Sequence, residues 1–158
     1  MRARHVTSEK EYRTPFGAAQ LGGVVTLGID IWDDDVTFCT LRVWTDAHGE
    51  QLIEMKGASE GDHLHFSVDY EPAERGVVWY SFDIEASDGA VWRYGAKPGW
   101  TTGEGAFAYG DPPSFQITVF EPRAAPLHGC ILAVHAQPGA KRNAVAGIYN
   151  DRLKIALS

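Results

Sequence analysis

The chain has 158 residues, of which 44% are hydrophobic and 22% charged. That is enough for one ordinary domain plus a short extra piece; it excludes a disordered tail and a complete α/β barrel, which needs about 250 residues. The net charge of -7 is uneven: residues 1–123 carry ten Lys/Arg against twenty Asp/Glu, and residues 124–158 carry four against one. The asymmetry points to two segments of different origin, and the acidic bulk argues against a nucleic-acid partner.

The start, Met1-Arg2-Ala3-Arg4-His5, is basic, but it meets Glu9, Lys10 and Glu11 before any apolar run. It does not read as a signal peptide. No apolar stretch approaches the ~18 residues of a membrane span, so a cytoplasmic location without membrane contact is expected. Cys39 and Cys130 are too few for a disulfide scaffold.

Alternation by two dominates the chain, and helical periodicity is nearly absent. Val24–Ile31 puts Val25, Leu27, Ile29 and Ile31 on one face. Asp33-Asp34-Asp35 breaks the chain before Val36–Trp44, where Leu41 and Val43 share one face and Phe38 and Trp44 the other. Gln51–Met55 is a short strand. His63–Val68 turns Leu64, Phe66 and Val68 inward and His63, His65 and Ser67 outward. Val77–Glu85 sets Val78, Tyr80, Phe82 and Ile84 opposite Trp79, Ser81, Asp83 and Glu85. Val91–Tyr94 and Phe115–Phe120 complete the set, with Gly95–Pro113 as a long loop. Turn residues at Asp46–Gly49, Glu60–Asp62 and Asp88-Gly89 separate the runs. Seven short strands at roughly ten-residue spacing predict an all-β, immunoglobulin-like antiparallel β-sandwich over residues 1–122. Pro122 and Pro126 flank Arg123-Ala124-Ala125, and residues 123–129 read as a linker. The 130–158 tail holds an apolar run at Cys130–Gln137, then two β-like stretches, Ala144–Tyr149 and Arg152–Leu157. These strands are too few to bury a core alone.

Tyr12-Arg13-Thr14-Pro15-Phe16-Gly17-Ala18 resembles the opening segment of the accessory domain that precedes the catalytic barrel in α-amylases, neopullulanases and related glycoside hydrolase family 13 enzymes. Val77–Ile84, with Asp88-Gly89 and Tyr94-Gly95, resembles its central hairpin, and Phe115–Phe120 its last strand. The resemblance spans residues 5–121. It implies an immunoglobulin-like domain, sometimes classed with the family 34 carbohydrate-binding modules, that positions an α-glucan or maltooligosaccharide or contacts the barrel or a second subunit. The family's catalytic acids lie in the barrel, so the resemblance implies no catalytic residue here. Gln137–Asn143, Val145, Gly147–Tyr149 and Leu153–Ile155 resemble the start of the small α+β YggU-like family. That family continues with a helix, whereas the sequence ends at Ser158. The expectation is an accessory domain joined to a truncated YggU-like segment; the alternative makes the tail the functional part and the front incidental.

Trp79, Trp92, Tyr94 and Trp100 are the candidate substrate-binding residues. A pyranose offers an apolar C–H face that lies flat on an aromatic ring. The competing reading packs these rings under the long loop or against the barrel. Asp33, Asp34 and Asp35 read as a solvated turn, lacking the ligand spacing of a calcium loop. His63 and His65 read as exposed, with no third metal ligand in view. Gly103-Glu104-Gly105 follows no strand and opens no helix, so it is no phosphate loop. No cofactor or metal is expected. Lys141, Arg142 and Arg152 read as a solvated edge, with Tyr149 their one stacking partner.

Overall fold

In a computed structural model, the described residues are 1–108, 110–122 and the strands Val134–Pro138, Ala144–Tyr149 and Arg152–Leu157. The predicted linker, Cys130, Lys141 and Arg142 lie outside them. The chain divides into two units, Met1–Pro122 and Arg123–Ser158. Every regular element described is a strand, and among the described residues no helix is long and apolar enough to cross a membrane.

The alternating runs form strands because each has one face to bury. In the front unit these are β1 (Ala3–Arg4), β2 (Arg13–Thr14), β3 (Ala19–Gln20), β4 (Val25–Ile31), β5 (Val36–Thr45), β6 (Gly49–Glu54), β7 (Lys56–Glu60), β8 (His63–Tyr70), β9 (Gly76–Ala86), β10 (Val91–Ala96), β11 (Gly105–Ala108) and β12 (Phe115–Phe120). One sheet holds β4 at its centre, with β1 and β2 on one edge and β8 then β7 on the other. The second runs β6-β5-β9. The far edge of β9 is shared by β10, which pairs with Glu85–Phe82, and β12, which pairs with Tyr80–Gly76. β11 extends β10, and β3 joins β12 in parallel, Ala19 beside Val119. The result is an immunoglobulin-like β-sandwich.

The core lies between the sheets. Leu27, Ile29 and Ile31 from β4 meet Leu41 and Val43 from β5, Tyr80, Phe82 and Ile84 from β9, and Phe115 and Ile117 from β12, all at most 1% exposed. The inward sets read for β4 and β9 are therefore correct. Burying one such side chain contributes about 1.5–3 kcal/mol.

Besides strands that extend by a residue or two and the short β1, β2 and β3, two differences from expectation reshape the sheets. The Gly95–Pro113 loop contains β11, which pairs with β10 from Arg93–Ala108 to Ala96–Gly105. Its residues, Gly-Ala-Phe-Ala, carry no β-branched signal. The Gln51–Met55 run ends at Glu54; Met55 is buried, and the chain passes to the other sheet as β7.

The N-terminal segment closes one side of the sandwich. The His5 carbonyl accepts from Gly105 N (3.1 Å), and Thr7 N donates to the Gly103 carbonyl (3.1 Å). His5 is fully buried among Tyr12, Tyr80, Phe82 and Phe115. Its Nδ1–H donates to the Gly28 carbonyl (2.7 Å), which leaves Nε2 to accept from the Tyr80 hydroxyl (3.0 Å). Both ring nitrogens are satisfied in the neutral form, and burial pulls the imidazole down from 6.5 to about 4.

In the tail, β13 (Val134–Pro138), β14 (Ala144–Tyr149) and β15 (Arg152–Leu157) form a sheet of their own. β15 is central, parallel to β13 and antiparallel to β14.

Candidate functional site

The outer face of the second sheet carries the richest side-chain chemistry. Pleating turns Phe38, Thr40, Arg42 and Trp44 of β5 outward, because Cys39, Leu41 and Val43 fill the core. On β9 the same logic turns out Trp79, Ser81 and Asp83. Register then places Trp44 directly opposite Trp79, with Glu50 beyond one and Gln116 beyond the other. A row Glu50–Trp44–Trp79–Gln116 thus crosses four strands. Trp44 is 45% exposed.

Beside this row lies a depression of about 270 Å³, walled by Arg42, Trp44, Glu50, Trp79, Ser81 and Asp111 among others. Arg42 is fixed from two sides. Its Nε meets Glu50 Oε1, and its Nη1 lies 2.7 Å from Asp111 Oδ1. These bonds raise the Arg42 pKa, with Asp111 the larger contributor, and Arg42 in turn lowers that of Asp111. Asp111 also receives Arg93 Nη1, and Arg93 Nε lies 3.3 Å from Asp83 Oδ1. Burial raises the Asp83 carboxyl, with the two arginines opposing. A chain of ion pairs therefore links Glu50, Arg42, Asp111, Arg93 and Asp83 beside the indoles.

The four aromatic residues expected to bind substrate do not come together. Trp79 stands in the row just described. Trp92 is 45% exposed, opposite Ile84, and packs edge-on against Phe107 with ring centres 6.1 Å apart. It borders a second depression of about 680 Å³ with Asp83, Val91, Arg93 and Phe107. Trp100 lines neither depression and is 65% exposed in the turn after β10, where its N–H donates to the Lys97 carbonyl. Tyr94 corrects the expectation. It is 2% exposed, its ring meets Phe107, and its hydroxyl accepts from His5 N (3.3 Å). It pairs opposite Phe82, so the pleat turns it into the core and no ligand reaches its face. Trp44 is the residue the sequence reading missed. Its outward face was legible; its register against Trp79 was not.

His63 and His65 are also placed differently from expectation. They are outward but mostly covered, 19% and 20% exposed: Asp30 sits across from His65 on β4, and the Trp32 ring lies 5.0 Å from that of His63. Asp30 Oδ1 lies 2.7 Å from His65 Nδ1 and 3.5 Å from His63 Nε2, and Oδ2 accepts from the Tyr12 hydroxyl (2.5 Å). Gly28 makes room for the His65 ring: a Cβ there would lie 2.8 Å from His65 Cε1 and 2.9 Å from the Glu11 carbonyl. Among the described residues, no set of three His, Cys, Asp or Glu is arranged to hold a metal ion. Asp33–Asp35 form an open turn, with Asp35 N donating to Asp33 Oδ1 (3.2 Å).

No family model matches the chain, and no curated protein does. Solved structures do. A cyclomaltodextrinase superposes with a TM-score of 0.54 at 16% identity, over 92% of this chain and 25% of that chain. A cycloalternan-degrading enzyme from Trueperella pyogenes, solved with a covalent intermediate, gives 0.53 at 12% identity, over 90% of this chain and 20% of that one. The likeness is one of fold. This chain spans about a quarter of the length of the cyclomaltodextrinase and a fifth of the cycloalternan-degrading enzyme.

Proposed function

We propose that residues 1–122 are a noncatalytic accessory domain of an α-glucan-hydrolysing enzyme, which helps to place substrate or contacts a catalytic barrel or second subunit. The shared fold with two enzymes named for acting on cyclic glucans supports the reading. So does the outer face of the second sheet, and above all the Trp44–Trp79 pair within an ion-paired polar frame. The C–H face of a pyranose stacks on an indole, while ring hydroxyls find Glu50, Arg42 and Gln116 alongside. Trp92 and Trp100 offer further aromatic surfaces on the same unit. No comparison favours the alternative in which a YggU-like tail carries the function.

Isothermal titration with maltooligosaccharides tests the reading. Binding by the intact chain is expected, weakened about tenfold or more by Trp79→Ala, the loss of one stacked ring being about 1.4 kcal/mol or more. Absence of heat with the unaltered protein removes the sugar-binding role and leaves only a contact role. Turnover of starch that disappears when one of the chain's own carboxylates is replaced by its amide overturns the noncatalytic assignment.

A further inference from the structure

β7 is the free edge of the first sheet. It pairs with β8 on one side, and among the described residues no strand pairs with its other side. All five of its residues are exposed. An unpaired edge presents a row of N–H and C=O groups ready to accept another strand. Natural edges are commonly blocked by proline, a bulge, an inward-pointing charge or a lysine on the edge, and Lys56 is the one such device on β7. Lys56-Gly57-Ala58-Ser59-Glu60 has no proline, and its register against β8 is unbroken. It starts with a cation and ends with an anion, with three small residues between. Neither Lys56 nor Glu60 makes an ion pair among the described residues.

We propose that the front unit self-associates through β7, which pairs antiparallel with β7 of a second copy about a two-fold axis at Ala58. In that register Lys56 faces Glu60 of the partner subunit, and the reciprocal pair follows by symmetry. Gly57 and Ser59 face each other across the axis and leave the backbones free to approach. Parallel, in-register pairing sets lysine against lysine and glutamate against glutamate, so the charges select the antiparallel arrangement. Lys56, Ala58 and Glu60 share the face of Ser67, His65 and His63, which keeps both ion pairs on the outer, wetted side. Gly57 and Ser59 lie on the side of Phe66 and Leu64, next to a groove of about 480 Å³ that Phe38 and Met55 also line. The pairing joins two five-stranded sheets into one. Five residues a side fall short of the ~1,000 Å² typical of a stable interface, so the dimer is weak. Self-association of this kind is independent of glucan binding.

Sedimentation velocity of the full chain, from about 10 μM to about 1 mM, tests it in the range where weak interfaces populate. A concentration-dependent monomer–dimer equilibrium is expected. Lys56→Glu and Glu60→Lys should each raise the dissociation constant about tenfold, since each turns two attractions into two like-charge contacts. The double variant K56E/E60K restores both pairs and should return the constant to near its original value. Circular dichroism melts of all three variants should match the unaltered protein, because both side chains are exposed. A monomer throughout the range, a dimer indifferent to either single reversal, or a double variant that stays monomeric overturns the proposal.

Discussion

Lowering the pH from about 6.5 to about 4 is expected to remove about 3 kcal/mol of stability from the front unit through His5 alone. The imidazole is neutral in the fold, with Nδ1–H on the Gly28 carbonyl and Nε2 accepting from Tyr80. Four aromatic rings surround it, and among the described residues no carboxylate pairs with it to compensate a charge. In the unfolded chain the ring takes a proton below about 6.5; in the fold it resists until about 4. Between those values the unfolded state binds more protons, so acid favours unfolding. Above the window the residue adds no pH dependence, and below it the loss is complete. Urea unfolding at several pH values across this range checks the slope. His5→Gln should be less stable near neutrality yet lose most of the acid-linked slope. An unchanged slope in that variant would assign the effect to other groups.

Gly105→Ala should cost about 3 kcal/mol, at the upper end of overpacking effects. A methyl at this position would lie 2.3 Å from Tyr94 Cε1, 2.6 Å from the Gly95 carbonyl oxygen and 2.7 Å from Phe115 Cζ. Both rings are fully packed, and the carbonyl belongs to the neighbouring strand, so nothing yields cheaply. Relief requires β11 to move off β10, which also strains the bond from Gly105 N to His5. Chemical denaturation of this variant beside the exposed Ala108→Ser should separate them by more than 2 kcal/mol. A difference below about 1 kcal/mol would mean that the edge pair relaxes freely.

The sequence exposed those features that a single strand determines. Which residues of β4 and β9 face inward follows from alternation, since a one-residue slip would turn Leu27 or Phe82 to solvent. Features that depend on a second strand stayed hidden. β11 carries no β-branched residue, and its Gly105 fills a slot between Tyr94 and Phe115 too tight for a Cβ. Tyr94 looked like a surface ring until its pairing with Phe82 turned it inward. Asp30 lies thirty-five positions from His65 in the chain and directly across the sheet from it. Trp44 and Trp79 are likewise thirty-five positions apart, and their adjacency is a matter of register between strands.

The central position of β9 bears on how quickly the fold can assemble. Its eleven residues hold β5 along one edge and divide the other between β10 and β12. β5 and β12 both reach it across long stretches of chain. Such nonlocal closure places folding in the millisecond-to-second range of sandwiches rather than the microseconds of helical bundles. Truncating Ile84 to Val should slow refolding in stopped-flow measurements nearly as much as it lowers stability, whereas truncating Val25, at the start of β4, should mainly hasten unfolding. Equal partition of the two effects would place the rate-limiting structure elsewhere.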